Sequence, residues 1–262
     1  MADPIHQFQI QKIVDFGAVN LPVFGRTELA ITNSHIAMTV AFVLIVLFMQ
    51  FVTSGAKVVP GRLQTAGESL FDMIDGVTDS IIGHEGRKYF PFVFTLFLLV
   101  LVMNLLGMFL SFTATSQLAV TATFAALTIL LVIGIGFARN GLGFFKRFWP
   151  MSAPWYMRLP VGLIEFFSFL LRPITLALRL FGNMLGGHIA LKIFAGFVVA
   201  LGAGAIVGEG MGLWGLPVAA LSMSMVVALT ALEFLVAFLQ AFVFAVLASI
   251  YLNDVVNLGH GH

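Results

Sequence analysis

The residues with the clearest chemical potential in this chain are ionisable side chains inside long apolar stretches. The segment "LRLFGNMLGGH" places Arg179 and His188 among apolar residues, and Glu233 lies in a second apolar stretch. A guanidinium stays protonated in proteins, so Arg179 needs a polar partner, water or a function. Imidazole and carboxylate groups are well suited to exchange protons at physiological pH. These residue types predict the binding or transfer of ions or protons inside an apolar medium.

The composition identifies that medium as a membrane. Of the 262 residues, 60% are hydrophobic and 10% are charged, whereas a soluble domain carries about 25% charged residues. A net charge of +1 without a basic cluster indicates no nucleic-acid partner, and the absence of cysteine excludes disulfides and thiolate metal sites. The first 30 residues lack the pattern of a signal peptide, so the first apolar segment is expected to direct insertion.

Hydropathy predicts a single membrane domain, 1–262, with five apolar segments. Residues 1–34 are mixed and polar, and the interval 61–83 carries apolar residues at steps of three and four, which is typical of an amphipathic surface helix. The three shorter spans and the two long stretches are predicted at 35–53, 89–113, 118–138, 159–207 and 213–253.

The two last stretches are nearly twice as long as a perpendicular span. A helix of about 40 residues would be about 60 Å long. Two spans in each stretch would give seven crossings, whereas one strongly tilted helix in each, forming a hairpin, gives five. Basic residues occur between spans one and two and after span three, but not in the linker 113–117 or in "GEGMG". The positive-inside rule therefore places the N-terminus and "GEGMG" outside, and five crossings place the C-terminus inside.

Polar residues of the first long stretch follow a helical spacing. Glu165, Arg172 and Arg179 stand seven residues apart, so a helix brings all three to one face. Asn183 comes four residues after Arg179 and joins this face, whereas His188 points to the opposite side. Arg172 has two interpretations, an ion pair with Glu165 or a side chain that extends to the membrane interface.

A second polar stripe follows the other long stretch. Glu233 and Gln240 are seven residues apart and share a face. If the two helices are adjacent, His188 and Glu233 are candidates for a proton-exchanging pair, and Gln240 is a candidate hydrogen-bond partner of Arg179. An ionisable residue within a membrane is costly, and this cost favours a function over a purely structural role.

Three classes of protein are compatible with these residues: an ion pathway in a rotary machine, a secondary transporter and a structural membrane subunit. A secondary transporter usually has two related halves with interrupted helices in matching positions. Here the intramembrane polar residues crowd into the last 100 positions. A structural subunit has no need of Arg179 and Glu233.

Three motifs carry a family resemblance. The segments "LRPITLALRLFGNMLGGHIAL" and "LEFLVAFLQAFVFAVLASIYL" resemble the two signature helices of the a subunit of F-type ATP synthase, also called ATP synthase subunit 6. "FTLFLLVLVMNLLGMFLSFTATSQLAVT" is similar to the central hairpin of this family in its mitochondrial and alphaproteobacterial form. The resemblance covers the chain from about residue 90 onward. The first 60 residues agree with the family in their arrangement of segments and share no motif with it.

The resemblance implies a role for each candidate site residue. The essential arginine of the family falls on Arg179, and the two channel residues fall on His188 and Glu233. The remaining positions of the implied proton path are Glu165, Asn183 and Gln240. The order of imidazole first and carboxylate second is that of mitochondrial-type members.

The resemblance also implies architecture, partners and location. The fold class is an all-α polytopic membrane protein with about five membrane helices and a surface amphipathic helix, the last two helices forming a long tilted hairpin. Such a subunit is the proton-channel stator, with two half-channels beside a rotating ring of c subunits and with b-type peripheral stalk subunits as further partners.

No cofactor or metal is expected, and the isolated chain is expected to have no enzymatic activity. A bacterial inner membrane is favoured over the mitochondrial inner membrane, and a secondary ion transporter with an Arg/Glu/His site is the alternative.

Overall fold

The computed structural model describes residues 12–21, 25–54, 57–109, 113–141, 143–144, 155–207 and 214–257. Across these residues there are six α-helices, a β-hairpin and two short 3₁₀ turns. The two strands are β1 (Lys12–Leu21) and β2 (Gly25–Thr32). The helices are α1 (Asn33–Thr53), α2 (Arg62–Ile82), α3 (Phe90–Phe109), α4 (Leu118–Asn140), α5 (Trp155–Val207) and α6 (Gly215–Val256).

The predicted fold class is confirmed, because five of these helices are long and apolar enough to cross a membrane. Each of the two long apolar stretches forms one continuous helix, of 53 residues in α5 and 42 residues in α6. The structure therefore favours five crossings over seven. Pro160 and Pro173 lie inside α5 without dividing it.

The N-terminal β-hairpin was not predicted. Strand β1 pairs with β2 in antiparallel register, for example Asp15 with Ala30 and Val19 with Thr27. The register shifts between Asp15 and Ala18, where Gly17 has a φ of 91° and donates its backbone N–H to the Asp15 side chain at 3.1 Å. Such an irregularity interrupts the strict alternation by which strands are recognised in sequences, and this explains the missing prediction.

The described residues divide into two compact units. The first unit contains those within Met1–Phe42, Val102–Gln117 and Phe181–Leu239. The second unit contains those within Val43–Leu101, Leu118–Leu180 and Gln240–His262. Helices α5 and α6 contribute one part to each unit, so each unit combines the end of one long helix with the start of the other.

In the second unit, the amphipathic helix α2 packs its inward face against neighbouring helices. A Cβ at Gly67 would lie 2.7 Å from a Val52 methyl group, so only glycine permits this close approach to α1. Phe71 meets Phe90 and Phe94 of α3, with ring centroids 4.6 Å and 5.7 Å away. The buried residues of α2 are Gly67, Ile74, Thr78 and Ile82. Their spacing of seven, four and four residues is that of one helix face.

Candidate functional site

The first unit brings His188 of α5 and Glu233 of α6 together. The Nδ1 atom of His188 lies 3.5 Å from Oε1 of Glu233, and the two side chains are only 8% and 5% exposed. Among the described residues, no hydrogen-bond donor reaches either carboxylate oxygen of Glu233. A buried carboxylate in this setting is stable when it is protonated or when it faces an imidazolium, so the pair is suited to share a proton.

Small residues allow the helices around this pair to approach closely. A Cβ at Gly187 would lie 2.9 Å from Oε1 of Glu233, so a larger residue there would displace the carboxylate. One turn after Glu233, Ala237 is fully buried, and its carbonyl accepts a hydrogen bond from Asn104 Nδ2 of α3 at 3.3 Å. This bond fixes α6 to α3 at the level of the site.

A cavity of about 180 Å³ opens beside Glu233 in the first unit. Its wall is apolar, with Met184, Leu229 and Leu232 among its residues, except for the polar groups of Asn183 and Glu233. One water needs about 10–15 Å³ of such volume, so the cavity has room for several. Because the amide and the carboxylate supply polar partners, the cavity is suited to hold water next to the proton-sharing pair.

A threonine forms the other side of the site. Thr113 Oγ1 lies 3.1 Å from Nε2 of His188 and 3.2 Å from the carbonyl of Gly107. The second span was predicted to run to residue 113. Helix α3 is described as far as Phe109, residues 110–112 lie outside the described residues, and Thr113 has an extended backbone. The segment after it is buried as well, and Gln117 accepts a hydrogen bond from Ser34 Oγ of α1 at 2.7 Å. By hydropathy this segment is a short linker, although its run of hydroxyl residues between apolar helices was a signal of a buried polar site.

In the second unit, Arg179 faces outward from α5. It is exposed, and so are the apolar side chains of Leu171, Ile174 and Leu178, at 52%, 48% and 49%. In the described part of the chain, Arg179 makes no ion pair. A charged side chain on an apolar surface of a membrane helix is costly unless a polar group reaches it. A polar partner of Arg179 is therefore expected beyond the residues that the structure describes.

The other candidate residues lie at different depths. Gln240 is buried in the second unit, and no hydrogen bond joins it to the exposed Arg179 among the described residues, so the bond that the spacing indicated is not formed. Glu165 is half-buried on α5. Asn183 is exposed overall and borders the cavity beside Glu233. The structure thus brings Asn183, His188 and Glu233 into one site.

Arg172 has a partner that the spacing did not indicate. Its Nη1 atom donates to Oδ2 of Asp254 at 3.1 Å, and its guanidinium lies 5.7 Å from the centre of the Tyr251 ring. Both charged side chains are about one-third exposed, at 33% and 27%. The pair joins α5 to the end of α6 within the second unit.

Replacing Arg172 with glutamine is expected to destabilise the protein without removing the site. A half-buried ion pair and a cation–π contact are lost, at a cost of about 1–2 kcal/mol. The thermal midpoint of the purified complex measures this loss in Arg172→Gln, Asp254→Asn and the double variant. We expect the double variant to lose less than the sum of the single losses, and strictly additive losses would contradict the ion pair.

Comparison with known proteins identifies the family. The family model described as ATP synthase A chain matches residues 35–253. The chain belongs to this family. The match contains all five apolar helices over most of their lengths, and it contains His188, Glu233 and Arg179. The β-hairpin precedes the matched region.

Relatives named ATP synthase subunit a cover nearly the whole chain. The protein from Rhodopseudomonas palustris (strain BisB18) is 48% identical over 261 residues, which is 99% of this chain and 100% of the relative. That from Hyphomonas neptunium is 48% identical over 97% of this chain and 96% of the relative. That from Mesorhizobium japonicum is 47% identical, with 98% of both chains covered. The family resemblance predicted from the sequence is confirmed, and so is a multi-pass membrane subunit of ATP synthase.

Proposed function

We propose that this chain is the proton-channel stator of the F-type ATP synthase membrane sector, passing protons to and from a rotating ring of c subunits. The observation that carries the proposal is the exposed, always-charged Arg179 on an apolar helix face, without an ion-pair partner among the described residues. A moving acid on a neighbouring chain is the partner that such an arginine requires.

The charge of Arg179 controls the protonation of that acid. A c-subunit carboxylate that faces lipid has to be protonated, because a bare charge in hydrocarbon is costly. Beside Arg179 the ionised form is stabilised by the nearby cation, so the carboxylate releases its proton there. Rotation past Arg179 therefore alternates the acid between its two forms.

Two half-channels deliver and remove these protons. We assign the outer one to His188, Glu233 and the adjoining cavity with Asn183, where a buried pair and room for water lie together. We assign the inner one to Glu165, and Gln240 lines the path near the ring. The fixed charge of Arg179 keeps protons from crossing directly between the half-channels, so protons have to travel on the ring.

The membrane potential drives the cycle. A charge that crosses the full potential gains about 2.3 kcal/mol per 100 mV. Because the route passes through the ring, this free energy becomes rotation and then ATP synthesis. The chain contributes the path and the fixed charge, and it performs no chemical reaction in isolation.

Co-purification tests the proposed partners. A tagged chain, extracted from a bacterial inner membrane in mild detergent, is expected to retain an oligomeric ring of small c subunits and the b-type stalk subunits. Chemical cross-linking of a cysteine at exposed Leu178 to the ring would place the Arg179 face against it. A stable monomer that binds a small solute would instead support the alternative, a secondary ion transporter.

We also propose that the chain is one membrane domain whose N-terminus lies outside, with Trp214 outside and Val58 inside. The basic residues flanking the spans support this orientation. The protein has no cysteine, and both positions are highly exposed, at 79% for Trp214 and 102% for Val58. We expect an impermeant thiol reagent to label Trp214→Cys from the periplasmic side and Val58→Cys from the cytoplasmic side. Labelling with the sides reversed would overturn the orientation.

A further inference from the structure

Thr113 occupies a position from which it acts on the proton-sharing pair. It is fully buried, and its hydroxyl oxygen lies within hydrogen-bond distance of two groups, Nε2 of His188 at 3.1 Å and the carbonyl of Gly107 at 3.2 Å. His188 is therefore held between Thr113 on its Nε2 side and Glu233 on its Nδ1 side. The direction of the hydrogen bond between Thr113 and Nε2 decides which nitrogen carries the proton.

The carbonyl of Gly107 decides the direction at Thr113. The Thr113 hydroxyl donates a hydrogen bond to this carbonyl at 3.2 Å. A carbonyl can only accept, and a hydroxyl has a single proton to donate. If that proton is donated to Gly107, then Thr113 Oγ1 is left as an acceptor, and Nε2 of His188 has to donate to it.

We propose that Thr113 is a positioning residue that holds His188 in its Nε2–H tautomer, with the Nδ1 lone pair directed at Glu233. The inference rests on the proposed function and deepens it. A proton on Glu233 can then pass reversibly to His188: the O–H bond of Glu233 breaks, the N–H bond of Nδ1 forms, and a carboxylate and an imidazolium result. In the opposite tautomer, Nδ1–H would block this transfer.

The surroundings of the pair fit this assignment. Only glycine fits at 107, because a Cβ there would collide with the Thr113 methyl group, and Gly187 likewise leaves space for the Glu233 carboxylate. The charged groups that act on His188 among the described residues are Glu233 from α6 and Lys192 from α5. Thr113 lies within hydrogen-bond distance of Nε2, and we assign the choice of tautomer to this contact.

Nitrogen NMR of the intact complex reads the tautomer directly. Histidine labelled with ¹⁵N is incorporated into the ATP synthase, and the His188 signals are assigned from the difference between the wild type and His188→Gln, since the chain has 6 histidines. We expect the Nε2–H form in the wild type and in Thr113→Ser, which keeps the hydroxyl. Thr113→Val is expected to lose this preference, and passive proton flux should fall about tenfold, as for one lost hydrogen bond.

Thr115→Val is the matched control, because Thr115 is equally buried in the same segment and its hydroxyl has no partner among the described groups. It should leave the tautomer unchanged. An Nδ1–H form in the wild type, or an unchanged Nε2–H form in Thr113→Val, would overturn the proposal; the wild-type spectrum decides even if a variant fails to assemble. The NMR spectrum reports the tautomer whether or not the site conducts protons. Normal proton pumping in Glu233→Gln would contradict the proposed channel function and would leave the tautomer assignment standing.

Discussion

ATP synthesis driven by the proton gradient is expected to vanish when Arg179 is replaced by alanine, while the complex still assembles. Arg179 is exposed and makes no ion pair in the described part of the chain, so its removal costs little internal packing. What is lost is the fixed cation that discharges the passing acid and separates the half-channels. Synthesis in inverted or reconstituted vesicles, normalised to the amount of complex, measures the effect.

Arg172→Ala is the matched control for this variant. It removes a cation seven residues earlier on the same helix, but one that is paired with Asp254. We expect a lower yield of complex, with near-normal synthesis for each complex that remains. Reduced yield in Arg179→Ala, with normal synthesis per complex, would show that Arg179 has a structural role instead.

Lysine at position 179 is expected to fail as well. The charge of lysine is confined to a compact ammonium group, whereas that of arginine is spread over a planar guanidinium. A desolvated lysine can also lose its proton, and a guanidinium does not. A deprotonated lysine neither stabilises the ionised acid nor blocks a direct leak. Synthesis at the wild-type rate in Arg179→Lys would mean that any cation near this position is sufficient.

The second large effect is expected at Glu233. Glutamine has the same shape but cannot release a proton, so Glu233→Gln removes proton exchange with His188 and leaves the packing beside Gly187 intact. Losing a positioned acid–base group costs about 10²–10⁴-fold in proton-transfer rate. ATP-driven acidification of inverted vesicles should fall accordingly, with a normal yield of complex.

Thr230→Val provides the comparison on the same helix. Thr230 lies about one turn before the site, and among the described residues its hydroxyl donates to the backbone carbonyl of Val226 at 2.8 Å, so proton pumping should be unchanged. Pumping at the wild-type rate in Glu233→Gln would remove Glu233 from the proton path. Equal losses in both variants would indicate a general disturbance of α6.

Much of the membrane architecture was predictable because hydropathy reports it directly. Apolar runs the length of a span identify the helices. The excessive length of α5 and α6 left open two spans or one tilted helix in each, and the family resemblance favoured one tilted helix. Helical spacing also indicated that His188 and Glu233 could meet across two adjacent helices, and the structure brings them to 3.5 Å. Residue spacing was sufficient for this prediction because it determines which side chains share a face of a helix.

Other features depend on contacts that spacing cannot report. Asp254 as the partner of Arg172 follows from how the end of α6 packs in the second unit, and Glu165 was the closer residue in sequence. The role that we propose for Thr113 depends on its contacts with His188 and the carbonyl of Gly107, and hydropathy does not report such contacts. The β-hairpin was missed because a shift in register breaks its alternation.

Passive proton conductance of vesicles carrying Arg179→Ala, measured after the soluble ATPase sector has been stripped away, tests whether Arg179 separates the half-channels. Complex yield is determined in the same vesicles. We expect a normal yield and a proton leak that persists or rises, because the barrier between the half-channels is gone while both remain open. A normal yield with wild-type conductance and full gradient-driven synthesis after the soluble sector is restored would contradict this role of Arg179.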